Sequence, residues 1–310
     1  MNNLIQSPQV LALARQKSGG STEVASTPPP DTGVPSAPLA PVAPAPSGQH
    51  LATGTTQSNA YALIVGIEKY RDAPAPDGAR TDATSFKALA TTTLGVPAGN
   101  VHLLVDDHAS KSDLEREMAW LKANVPASGK IFFFFAGHGA PDASDGTAYL
   151  LPYDGSPDAI MSTGIPLGTV MRNLSDTKAG EIVAFVDTCF SGAGGRSLLP
   201  KGARALVRVK AQAPAARVAL FAAASGAQIS GPTADGTGGL FTRTLVEGIG
   251  GAAADIDGDG TVTLEEVSQW VAPRVAREAQ RQSRQQQPVL TLPRGVNAAS
   301  FSLAHGITRP

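Results

Sequence analysis

Five short runs of almost unbroken apolar residues constrain this chain more than anything else in it. They are AYALIVGI (60–67), VHLLV within 101–107, IFFFFA within 129–139, IVAFV within 181–192 and VALFAAA within 217–225. A strand that is apolar on both sides of its pleat needs cover on both faces, the condition of a mainly parallel sheet held between helices. Segments with helical spacing fall between these runs. Residues 79–95 carry Phe86 and Leu89 on one side and close on Gly95. Residues 111–125 place Leu114, Met118, Leu121 and Val125 on one face, with Ser112 or Asp113 as the cap. Further helices are expected at 239–249 and 264–284, and QPVLTLP (287–293) reads as a last edge strand. Most of the crossovers are long enough for right-handed units. The expectation is an α/β fold, a three-layer α/β/α sandwich on a mainly parallel six-stranded sheet.

This folded region spans roughly 59–300, one domain, with 301–310 as a tail. Ahead of it, 21–58 is rich in Pro and Ala and almost free of charged and aromatic residues. Such a stretch buries too little apolar surface to offset the ordering of its backbone, so it reads as a flexible linker biased to polyproline conformation. Within 1–20, residues 6–17 have the pattern of a short helix. Lys and Arg number 25 against 26 Asp and Glu, so no net field draws the chain to nucleic acid. Cys189 is the only cysteine, which excludes an intrachain disulfide and a thiolate metal cluster. No apolar stretch reaches the length of a bilayer. The opening VLALA run has no basic segment before it and makes a poor secretion signal. A cytoplasmic protein is expected, with a lost or atypical signal left open.

Two of the apolar runs end in small residues that carry one reactive side chain each: FFFFAGHGA presents His138, and VAFVDTCFSGAG presents Cys189. Chemistry in open α/β sheets gathers beyond the carboxyl ends of strands. If the third and fourth strands are neighbours, the two side chains emerge together. An imidazole beside a thiol takes its proton or holds it as thiolate. Gly137 and Gly139 leave room for a peptide, and the backbone N–H groups of Gly139 and Cys189 are suited to a tetrahedral oxyanion. Asp187, two residues before Cys189, turns the same way along the strand and would select a cationic substrate side chain. The other reading of Asp187 is a carboxylate that receives local backbone hydrogen bonds or orients His138. GIEKY after the first strand has no Gly-rich phosphate loop, which argues against a nucleotide enzyme.

HG at 138–139 and DTCFSG at 187–192 resemble the HG and DxCxSG signatures of caspase-like peptidases, a clan that includes metacaspases and their bacterial relatives. YALIVGIEKY (61–70) resembles their first strand, GARTDA (78–83) the segment after it, and GLFTRTLVEG (239–248) the helix after their fifth strand. The offset between His138 and Cys189 agrees with the roughly 50 residues separating base from nucleophile in caspases. The glutamine-alanine-cysteine sequence of true caspases is absent. The resemblance implies a cysteine endopeptidase working through a Cys-His dyad and an acyl-enzyme, and, with the Ala/Pro/Gly bias, a bacterial origin. By the same resemblance, Asp82 corresponds to a second S1 carboxylate. Two carboxylates in one pocket suit an arginine guanidinium, and lysine less well, so peptide and protein substrates cut after Arg, then Lys, are expected.

Residues 194–217 carry Arg196, Lys201, Arg204, Arg208, Lys210 and Arg217 and no acidic residue. They read as an exposed basic loop or, as in caspase relatives, a site of self-cleavage. DIDGDGTVTLEE (255–266) fits the twelve-residue EF-hand loop, with Asp255, Asp257 and Asp259 at positions 1, 3 and 5. Gly260 stands at the turn, the Thr261 carbonyl at 7, Thr263 at 9 and Glu266 at 12. Ca²⁺ is the expected ion, although the chemistry itself requires no cofactor. Gly248, Gly250 and Gly251 weaken the helix before the loop, and a second loop to pair with it is missing. Many metacaspases share a separate internal calcium site. This chain keeps Asp154, but 160–174 has no aspartate and Arg196 stands where an acidic ligand would, so that site is not expected. The alternatives are a catalytically silent caspase-like binding protein, a protease of different preference, a thiol hydrolase of small esters or amides, and a transpeptidase. The N-terminal arm, with Arg15 and Lys17, is a candidate inhibitory segment.

Overall fold

The structure is a computed structural model that describes residues 51–142, 144–188, 217–225, 228 and 230–307. In chain order it places β1 (Ala60–Gly66), α1 (Ala79–Thr92), β2 (Val101–Val105), α2 (Lys111–Asn124) and β3 (Lys130–Ala136). β4 (Gly139–Pro141), β5 (Ala148–Leu150), α3 (Ile160–Thr163), β6 (Ile165–Pro166) and α4 (Leu167–Ser175) follow. After β7 (Glu181–Asp187) and β8 (Val218–Ala222) come α5 (Leu240–Gly250), β9 (Thr261–Thr263), α6 (Leu264–Arg281), β10 (Val289–Thr291) and β11 (Ser302–His305).

The main sheet has six strands in the order β10-β8-β7-β3-β1-β2. All its pairings are parallel except that of β10 with β8. The four consecutive phenylalanines of β3 account for the layers. Successive residues of a strand point to opposite faces. Phe132 and Phe134 therefore enter the core under α1, α5 and α6, and Phe133 and Phe135 enter the core under α2 and α4. Phe86 of α1 stacks on Phe134 with ring centroids 4.4 Å apart and leans on Phe185 at 5.5 Å. Each such aromatic removes a large apolar area from water, worth about 1.5–3 kcal/mol before conformational entropy is charged against it.

Three features depart from the sequence expectation. The cap of α2 is Ser110 rather than Ser112 or Asp113; Asp113 instead completes a capping box by accepting the Ser110 N–H. The stretch 51–57, expected as linker, is strapped to the domain. The Ala52 N–H bonds the Gly250 carbonyl and the Gln57 amide bonds the carbonyls of Leu94 and Leu303. The supposed tail contains β11, paired antiparallel with β9. The helix expected at 239–249 is α5, and it runs through Gly248 and Gly250. A Cβ on Gly248 would stand 2.7 Å from the Trp270 ring, so glycine is what lets α6 pack this closely. The small sheet of β4, β5 and β6 and the helix α4 had no counterpart in the sequence reading.

Phe134→Ala removes a ring at the centre of this packing. It should cost about 3–5 kcal/mol of stability, read as a lower denaturant midpoint with an unchanged slope.

Candidate active site

β3 and β7 lie side by side in register, with Ala136 opposite Asp187. His138 follows the first by two residues, and Cys189 follows the second by two. Cys189 lies outside the described residues, as do Arg196, Lys201, Arg204, Arg208 and Lys210.

His138 is 1% exposed and is held by Tyr70 and Pro74. Its backbone N–H donates to the Tyr70 hydroxyl at 2.7 Å, and the Tyr70 ring lies against the imidazole with centroids 5.0 Å apart. Gly137 is needed for this approach, because a Cβ there would come within 2.5 Å of the Tyr70 hydroxyl. The imidazole Nε2 stands 2.6 Å from the Pro74 carbonyl oxygen. A carbonyl only accepts, so Nε2 carries the hydrogen and Nδ1 keeps its lone pair in the neutral ring. Tyr70 and Pro74 belong to the connection after β1, which Asp106 fixes from the end of β2. The Asp106 carboxylate accepts the N–H groups of Glu68 and Lys69, each at 2.9 Å, and pairs with Arg80. Sequence reasoning missed both Tyr70 and Pro74. Tyr70 closes the YALIVGIEKY segment without a role assigned to it, Pro74 carries no motif signal, and each reaches His138 only through the fold.

β4 begins immediately after His138. The Leu151 N–H donates to the His138 carbonyl, which makes Gly139 and Leu150 a non-hydrogen-bonded pair of the β4–β5 ladder. The Gly139 N–H therefore points away from β5.

Asp82 and Asp187 come to one place, the N-terminus of α5. That helix starts on Gly239, which has no side chain to cap it. The Gly239 N–H donates to both Asp82 oxygens at 3.0 Å. The Thr242 N–H and hydroxyl donate to Asp187 Oδ2 at 3.2 and 2.6 Å, and the Ser230 hydroxyl donates to Asp187 Oδ1 at 2.7 Å. Two carboxylates thus satisfy amides that a helix start leaves unpaired, in the field of its positive end. Asp82 and Asp187 are 3% and 0% exposed. The described donors to the Asp187 carboxylate come from residues 43 and 55 positions away in the chain. The turn leading into α5 is pinned by Asp235. Hydrogen bonds from Thr233, Arg243 and Thr237 hold its carboxyl well below the usual carboxylate range.

The acidic loop 255–266 has the ligand order of an EF-hand. Carboxylate oxygens of Asp255, Asp257 and Asp259 lie within 4.8 Å of one another. Glu266 turns back over the loop, accepting from the Ile256 N–H at 2.8 Å and the Thr263 N–H at 2.9 Å while Thr263 caps α6. Thr261 pairs with His305, so β11 stands where a second hand would supply a strand. All donors are hard oxygens, which fit a calcium ion. Asp154 is engaged elsewhere: its carboxylate accepts the Lys111 N–H at the start of α2, at 2.8 Å. Arg217, just before β8, donates to the carbonyls of Ser175, Thr177 and Ala179. No helix among the described residues is long and apolar enough to cross a membrane.

The family model of the caspase domain, Peptidase C14, matches residues 59–294. The fold is similar to those of several solved structures. A Geobacter sulfurreducens protein is 15% identical with a TM-score of 0.56, covering 81% of this chain and 99% of that one. Caspase-1 from Spodoptera frugiperda is 15% identical with a TM-score of 0.50, covering 82% and 94%. The Drosophila initiator caspase Dronc is 13% identical with a TM-score of 0.52, covering 83% and 94%. No curated protein matches the chain.

Proposed function

The chain belongs to the caspase-domain family of cysteine peptidases, and from that premise we propose that it is an endopeptidase using Cys189 as nucleophile and His138 as base. The observation that carries the reading is the Pro74 carbonyl on His138 Nε2, which supports Nδ1 as the proton-transfer nitrogen at the end of the strand beside β7. In the proposed reaction the Cys189 thiol gives its proton to Nδ1 and the sulfur attacks the substrate carbonyl carbon. The tetrahedral oxygen takes hydrogen bonds from the Gly139 and Cys189 N–H groups. The imidazolium then returns the proton to the departing amine, and water, activated by the same nitrogen, releases the acid from the acyl-enzyme.

Specificity follows from the two carboxylates at the start of α5. Asp82 and Asp187 are proposed as the floor of the S1 pocket, binding the guanidinium of an arginine in two directions and a lysine ammonium less completely. Self-cleavage within 194–217 follows from the same preference, because that segment supplies six basic residues. Arg217 is the least suited of them, since its guanidinium is already spent on three carbonyls. Calcium at 255–266 is proposed as a bound ion rather than a participant in the chemistry. The ligands would be the carboxylates of Asp255, Asp257, Asp259 and Glu266, with the Thr261 carbonyl and Thr263. A catalytically silent binding protein would have no use for a histidine held in one tautomer.

With fluorogenic peptides ending in Arg, Lys or Asp, turnover is expected after Arg, then Lys, and none after Asp. Cys189→Ala should abolish turnover, and His138→Ala should lower kcat about 10²–10⁴-fold. A preference for Asp would overturn the pocket, and full activity of either variant the dyad. Intact-mass spectra should show wild-type chains cut within 194–217 and Cys189→Ala chains whole; the same fragments in both would rule self-cleavage out. Titration calorimetry should give one calcium per chain, lost in the Asp255→Ala, Glu266→Ala double variant. Equal heats from both proteins would remove calcium from the loop.

A further inference from the structure

We propose that Gln286, from the segment between α6 and β10, is a positioning residue that orients Asp187 for recognition of the substrate cation, acting through Ser230. The inference rests on the reading of Asp187 as an S1 carboxylate.

Gln286 is 2% exposed, and its amide is bonded at both ends. Its Oε1 accepts the Gly231 N–H at 3.2 Å and a hydrogen from the Arg284 guanidinium. Its Nε2 donates to the Ala223 carbonyl at 3.1 Å and to the Ser230 hydroxyl oxygen at 3.4 Å. The partners leave no freedom in the orientation of the amide: an N–H cannot accept and a carbonyl cannot donate, so Oε1 must face Gly231 and Nε2 must face Ala223. Ser230 has a single hydrogen to give. With Nε2 donating to its oxygen, that hydrogen goes to Asp187 Oδ1, where the distance is 2.7 Å. Gln286 therefore holds the Ser230 hydroxyl that bonds the pocket carboxylate, without touching the carboxylate itself.

Arg284 completes the arrangement. Its Nη2 donates to the Pro232 carbonyl at 2.7 Å, and the guanidinium lies so close to Gly231 that a Cβ there would stand 2.5 Å from Nη1. The segment 230–232 is thus clamped by two side chains from beyond α6. Oδ1 of Asp187 is held by this relay and Oδ2 by Thr242 at the start of α5. The carboxylate plane is fixed from both sides. A planar guanidinium, which bonds in two directions, is more sensitive to that plane than an ammonium.

The test uses Gln286→Leu, Gln286→Glu, Ser230→Ala and the Gln286→Leu, Ser230→Ala pair. Gln286→Glu keeps the acceptor for Gly231 and Arg284 but loses the donor to Ser230, which separates the relay from the clamp. On the Arg peptide, each variant should raise KM about tenfold, the worth of one hydrogen bond to a charge, with kcat within about twofold. The Arg-over-Lys ratio should fall. The double variant should be no worse than the singles, as for residues acting in one chain. The rate and pH profile of Cys189 alkylation by iodoacetamide should match wild type. Unchanged KM and Arg preference in folded Gln286→Glu would overturn the proposal, as would additive effects in the double variant or an altered alkylation profile. Lack of Arg or Lys preference in wild type would instead remove the S1 reading, a result visible before any Gln286 variant is made.

Discussion

In-register parallel pairing of Lys130–Ala136 with Glu181–Asp187 ends both strands on one line across the sheet. Hydrogen bonds between parallel strands are evenly spaced, so a slip of one residue would turn every side chain of β7 to the opposite face. The slip is forbidden by what the faces carry. Phe133, Phe135, Ile182, Ala184 and Val186 fill one core, and Phe132, Phe134, Val183 and Phe185 fill the other. The packing of two cores therefore determines the alignment of a site that lies outside both. Lys130 and Glu181 reinforce the register at the opposite end, as partners across the starts of the same two strands. Burial lowers the Lys130 pKa and raises that of Glu181, and the attraction between them works against both shifts.

The same alignment decides which layer supplies the rest of the site. Asp187 shares its face with Val183 and Phe185, the side covered by α1 and α5. Its carboxylate consequently meets the first turn of α5, where Asp82 of α1 already holds the Gly239 N–H. A helix that begins on glycine cannot cap itself. It recruits two carboxylates from neighbouring elements, and in doing so gathers negative charge beside the strand end that leads to Cys189. The amides that stabilise the helix also hold both carboxylates in place, so a structural role and the proposed recognition role are not alternatives for these residues.

Much of this was legible in the sequence because it depends on periodicity. The apolar runs gave the central strands, since cover on both faces leaves a run unbroken, and the spacing of Leu114, Met118 and Leu121 gave α2, since burial of one helix face imposes a rhythm near 3.6. The edges were not legible. Ser110 caps α2 although Ser112 and Asp113 offered equal chemistry, because the cap is chosen by where the chain leaves β2. β4, β5, β6 and β11 are two to four residues long, too short to display any period. The composition of 51–57 suggested a free linker, yet its backbone N–H groups found carbonyls on the domain surface, a choice that side-chain composition does not encode.

The two acidic sites make the same point from opposite directions. In the loop 255–266 the carboxylates bond amides two to ten residues away, so the spacing of the sequence already contains the geometry. Among the described residues, Gly239, Ser230 and Thr242 bond the carboxylates of Asp82 and Asp187, and Tyr70 and Pro74 hold His138, across 43 to 157 residues of chain. The matching strand ends that carry His138 and precede Cys189 were readable, because the apolar runs before them mark the two strands. A side chain's tautomer, its orientation and the direction of its hydrogen bonds were not, because each is dictated by a partner that only the tertiary fold brings near. The features that would separate a working peptidase site from a mere pair of reactive side chains therefore lie in that second set of contacts, and Pro74, Tyr70 and Gln286 belong to it.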